Sequence, residues 1–85
     1  MTEALDLELD PYNAEHVQTV ADKVFDLPVG EEFYLKYKDE LIVFGKHFER
    51  TFFCGMQFMF WESQFPEIKD FGDKVKAILQ TRGYR

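Results

Sequence analysis

Seven of the ten Phe, two of the four Tyr and the only Trp lie between Glu31 and Trp61, in EEFYLKYKDELIVFGKHFERTFFCGMQFMFW. Rings bury more area per residue than other side chains, so any core this chain makes is built on that stretch. At 85 residues there is room for one domain and one core. The question the sequence poses first is whether the stretch is sheet or helix.

Phe33, Leu35 and Tyr37 alternate with Tyr34, Lys36 and Lys38, the period-2 pattern of a strand with one wet face. Asp39-Glu40 interrupts, and Leu41 to Phe44 follows with residues that suit a pleated surface. A tight reversal at Lys38–Glu40 pairs the two runs as a hairpin, although neither Asn-Gly nor Asp-Gly marks it. Lys46-His47-Phe48-Glu49-Arg50 reads as the next turn, with Phe48 as its anchor. Gly45 and Gly55 bracket a further segment, after which Met56, Phe58 and Phe60 alternate with Gln57, Met59 and Trp61. Both faces of this last run are largely apolar, which predicts a third strand covered on both sides or meeting a partner. A helical stripe through Tyr37, Leu41, Phe44, Phe48 and Phe52 competes with this reading. It leaves Ile42, Val43 and Phe53 off the stripe and puts Gly45 mid-helix at a cost of ~1 kcal/mol, so the sheet is the preferred expectation.

The flanks are clearer. Ala4–Asp10, ALDLELD, alternates as an edge strand with Leu5, Leu7 and Leu9 on one side and Asp6, Glu8 and Asp10 on the other. A helix follows, capped by Asp10 ahead of Pro11 or by Asn13. Its stripe is Val17, Val20, Ala21, Val24 and Leu27, and Pro28 stops it. A second helix starts near Pro66, buries Ile68, Phe71, Val75, Ile78 and Leu79, and ends at Gly83. The expected fold is α+β: a small antiparallel three-stranded meander between an N-terminal and a C-terminal helix, with an added N-terminal edge strand.

Charge is unevenly placed. Residues 1–40 hold eleven Asp/Glu against three Lys, a balance of −8, while residues 41–85 carry +2. An acidic half favours a basic partner surface over nucleic acid. No run approaches the ~20 apolar residues of a membrane span, and one Cys allows no internal disulfide, which suits the cytoplasm. Read as a calcium loop starting at Asp6, the acidic strand has Pro11 where glycine is needed and Val17 where the bidentate Glu belongs. His16, His47 and Cys54 lack metal-ligand spacing. No phosphate loop, dinucleotide fingerprint, nucleophile elbow or CxxC pair is present. Neither catalysis nor a metal or cofactor is therefore expected.

The helix–three strands–helix order resembles the double-stranded-RNA-binding arrangement, but the second helix start lacks the basic cluster that function needs. What remains is a protein-interaction module. By analogy of size and charge it would act as a small stoichiometric inhibitor, as phage-encoded blockers do. Phe58, Phe60 and Trp61 are the expected aromatic contacts, because such residues are enriched at interface centres. Asp6, Glu8, Asp10, Glu31 and Glu32 are the expected acidic contacts, either to a larger basic protein or as a mimic of nucleic acid. A homodimer is the other partner expected of the apolar strand.

Overall fold

A computed structural model describes residues 3–48, 51–57 and 59–84, with side chains from Glu8 onward. Its elements are β1 (Glu3–Glu8), α1 (Ala14–Asp26), β2 (Glu32–Tyr37), β3 (Glu40–His47), β4 (Thr51–Gly55), α2 (Trp61–Gln64) and α3 (Pro66–Thr81). The four strands form one sheet in the order β1-β2-β3-β4. β2, β3 and β4 are the antiparallel meander. β1 is the extra edge strand and runs parallel to β2, as the α1 crossover between them requires.

The hairpin turn at Lys38-Asp39 is a two-residue reversal in which both residues have positive φ, 46° and 66°. That conformation matches the twist of the flanking strands, so the chain adopts it without glycine. Asn13, not Asp10, caps α1: its Oδ1 accepts the Glu15 N–H at 2.8 Å. Leu27 is already extended ahead of Pro28, which ends the helix as expected.

The third strand of the meander differs in place from the sequence expectation. It is Thr51–Gly55; Gln57 is a bend, Met59-Phe60 a turn, and Trp61 begins α2. His47 pairs Thr51 and Val43 pairs Gly55; the chain then leaves the sheet at Met56, although Glu40 to Ile42 of β3 extend past that last pair. Met56, Gln57, Met59 and Phe60 belong to the connection between the sheet and the helices that follow, with Met56 and Trp61 packed against the core. Phe48 is also not an anchor: it is 73% exposed, at φ 47°, with its ring on His47.

Both long helices pack on one face of the sheet. Phe33, Leu35 and Tyr37 from β2 and Ile42 and Phe44 from β3 meet Val20, Val24, Ile68, Phe71, Val75 and Leu79, all buried. Phe44 is the centre, with ring centroids 5.5 Å from Phe33, 5.9 Å from Phe71 and 6.3 Å from Phe52. The chain end closes the far side. Gly83 takes φ 96°, and Tyr84 folds back under α1, its hydroxyl donating to the Val24 carbonyl at 3.3 Å. Lys46 Nζ lies 5.7 Å above the Tyr84 ring and donates to the Phe25 carbonyl at 3.0 Å.

Candidate functional site: the uncovered face of the sheet

Side chains alternate across a sheet, so with Phe33, Leu35, Ile42 and Phe44 turned to the helices, the intervening residues face the other way. On β2 these are Glu32, Tyr34 and Lys36; on β3, Leu41, Val43, Gly45 and His47; on β4, Thr51, Phe53 and Gly55. Tyr34 pairs Val43, Lys36 pairs Leu41 and Gly45 pairs Phe53, which places apolar groups side by side across three strands. No helix among the described residues lies over them.

The face has internal structure. Tyr34, Leu41, Val43 and Met56 line a shallow depression of about 170 Å³. Beside it the Phe53 ring lies across Gly45: a Cβ there would stand 2.4 Å from Phe53 Cζ. Phe53 is in turn 5.2 Å from the His47 ring, which stacks on Phe48 at 5.0 Å. The polar residues Glu32, Lys36, His47 and Thr51 border this apolar row. Tyr34 donates its hydroxyl to Glu32 Oε1 at 2.9 Å, an acceptor that holds the phenol proton and raises the Tyr34 pKa.

Of the aromatic residues expected at a partner surface, Phe60 is 66% exposed in the turn before α2. Trp61 is half-buried and faces a groove between β4 and α3. Phe58 lies outside the described residues. The acidic residues do not form one row. Glu8 and Asp10 sit at the Tyr37 end of β2, beside Lys38 and Glu67. Glu31 and Glu32 lie at its opposite end, about 13 Å away at strand spacing. In β1 the register to β2 shifts between Ala4 and Glu8, interrupting the simple alternation through Asp6, whose side chain lies outside the described ones.

Three polar features lie elsewhere. Tyr37 donates to Glu67 Oε2 at 2.6 Å, tying the end of β2 to the first turn of α3. Burial, with Glu67 as the further cause, pushes the Tyr37 phenol up to about 12, and the same hydrogen bond pulls the Glu67 carboxyl down. His16 Nδ1 accepts the Asp10 N–H at 3.0 Å and closes the loop into α1. Cys54 is on the helix side of β4, with its Sγ 3.5 Å from the position of a Gly72 Cβ, and burial pushes its thiol up to about 12. His47 and Cys54 are therefore on opposite faces of the sheet and do not converge. Among the described residues no group of three or more His, Cys, Asp or Glu could hold a metal ion, and no helix is long and apolar enough to cross a membrane.

Sequence reasoning missed the uncovered face as a unit, because it located the partner-binding strand at 56–61. Gly45 two residues after Val43, facing a Phe-rich segment, was the available signal. No protein-family model matches the chain, and no curated protein and no solved structure matches it.

Proposed function

We propose that the chain is a non-catalytic cytoplasmic interaction module that binds a larger protein through the uncovered face of its sheet. The observation that supports this is the row Tyr34, Val43, Leu41 and Phe53 with no described element over it, extended through His47 to exposed Phe48, while Met59 and Phe60 are exposed in the turn before α2. Apolar side chains left in water are costly, and aromatic and Met residues are the composition of interface centres. The acidic residues act at the rim. Glu8, Asp10, Asp39 and Glu40 cluster at the hairpin end, where they favour a partner that is basic around an apolar patch. Stoichiometric inhibition is the mode that suits so small a domain, since occupying a surface needs no chemistry of its own. Nucleic-acid mimicry is less favoured, because the acids divide between two ends of β2.

The test is capture from the native host with four immobilised forms. Leu41→Lys with Val43→Lys places two charges on the uncovered face, and Phe60→Ser removes the exposed ring. Tyr12→Ser alters a groove between α1 and α3 instead. The partner should be lost with the first, weakened with the second and retained with the third, and it should survive high salt. Capture that depends on none of the face residues, or that collapses with salt alone, defeats the proposal.

A further inference from the structure

The two edges of the sheet are built differently. β1 carries Glu3, Asp6 and Glu8 within six residues, and its register is irregular. Charges and irregularities of this kind keep an edge from pairing with another chain. β4 reads TFFCG, with no charge, no proline and an unbroken register against β3. All five of its residues are partly exposed. No strand lies beyond it among the described residues, so alternate N–H and C=O groups point outward without a ladder partner. A groove of about 270 Å³ opens alongside, between β4 and α3.

We propose that β4 pairs with β4 of a second copy, antiparallel about a two-fold axis, joining two four-stranded sheets into one. A second copy is favoured over a different protein by charge and by symmetry. The chain carries −6, so copies repel unless they meet where charge vanishes. It vanishes here: β4 is uncharged, and Glu62 and Asp73 on the groove are offset by Lys69 and Lys76. The full-overlap register puts the axis at Phe53, so that Thr51 opposes the second Gly55 and Phe52 opposes the second Cys54. The two Phe53 rings then meet on the axis, and a two-fold edge contact matches its own hydrogen-bond pattern. One strand from each copy is a contact at the small end of the interface range, so the pairing is reversible and concentration-dependent. It uses the backbone edge of the sheet, and Phe53 is the one residue that it shares with the uncovered face.

Sedimentation equilibrium of the full chain, from micromolar to near-millimolar concentration, should show the mass rising from one chain towards two. Phe53→Lys sets like charges opposite each other on the axis and should restore one chain with an unchanged circular dichroism spectrum. Phe53→Cys in a Cys54→Ala background places two thiols on facing strand positions, within disulfide reach. Under mild oxidant it should cross-link at least tenfold faster than Thr19→Cys in the same background. A wild-type mass that stays at one chain overturns the proposal, even if an added extended peptide then occupies the edge. So does cross-linking of Phe53→Cys no faster than the Thr19→Cys control. The wild-type mass and the cross-linking rate decide the matter if Phe53→Lys does not fold.

Discussion

Gly45→Ala isolates the one place where the uncovered face depends on a missing side chain. The new Cβ would stand 2.4 Å and 2.5 Å from Phe53 Cζ and Cε1, and 3.0 Å from the Glu31 carbonyl oxygen. Carbon atoms rest ~3.5–4.0 Å apart, so the ring has to swing by more than ~1 Å and leave the sheet surface. Phe53 is half-buried, and giving up that contact costs about 1 kcal/mol. Losing the His47 ring contact at 5.2 Å costs roughly 0.5 kcal/mol more. Replacing glycine returns about 0.5 kcal/mol by restricting the unfolded chain. The net loss is about 1 kcal/mol, or ~4–8 °C in Tm for a domain of this size. Phe53→Ala removes the same contacts and should cost a similar amount. In that background Gly45→Ala meets only the Glu31 oxygen and should be close to neutral. A double-mutant cycle by urea unfolding, read on Trp61 fluorescence, should therefore give a coupling of about 1 kcal/mol. Additivity within ~0.3–0.5 kcal/mol would refute the reasoning: the obstacle would then be the backbone oxygen, and the ring would not lie over Gly45.

Other predictions concern the joints that hold the two layers together. Tyr37 has a folded pKa raised from near 10 to about 12, so the stability it contributes is full below pH ~10 and is lost as pH climbs from 10 to 12. Glu67 has a folded pKa below its usual 4.5, so its contribution is present above that pH and fades as pH falls through the folded value. Unfolding free energy against pH should show both losses, and Tyr37→Phe should flatten both while costing about 1–2 kcal/mol at neutral pH. Tyr84→Ala empties a buried site under α1 and should cost roughly 2–4 kcal/mol by the same unfolding measurement. Asp39→Gly relieves a left-handed residue in the hairpin turn and should stabilise by about 0.5–1 kcal/mol, seen as a higher melting temperature. Cys54 should react with a thiol reagent many times more slowly in the folded chain than in denaturant, because burial disfavours its thiolate.

Periodicity carried the helices and the first hairpin. The stripe Val17, Val20, Ala21 and Val24 is buried as its spacing requires, as is Ile68, Phe71, Val75 and Leu79, and Pro28 and Gly83 mark the ends they punctuate. The alternation Phe33, Leu35, Tyr37 likewise gives the buried face of β2. These are local patterns, set by the 3.6- and 2-residue repeats of the backbone, and they can be read without knowing the neighbours. The 56–61 run misled for the same reason: alternation shows that a segment could be a strand, not that it continues the ladder of the strand before it. The chain leaves the sheet after Gly55 and starts α2 at Trp61, with Met56 and Trp61 packed against the core, while Glu40 to Ile42 of β3 extend past the last pair.

The candidate surface was legible only in part. An excess of rings over what two helices can cover was visible in composition, and Phe60 is indeed left in water. Which rings stay outside was not visible, because Phe52 and Phe53 are adjacent in sequence and lie on opposite faces of β4. The pairing of Tyr37 with Glu67 and the return of Tyr84 to Val24 span 30 and 60 residues, and no local pattern announces either. Local pattern was enough for the two long helices, the first hairpin and a core made of rings. The tertiary structure alone decided which face both helices cover, and hence which face is left open. Both helices could have been divided between the two faces with the same periodicities, and only the joint packing of α1 against α3 over Phe44 puts them together.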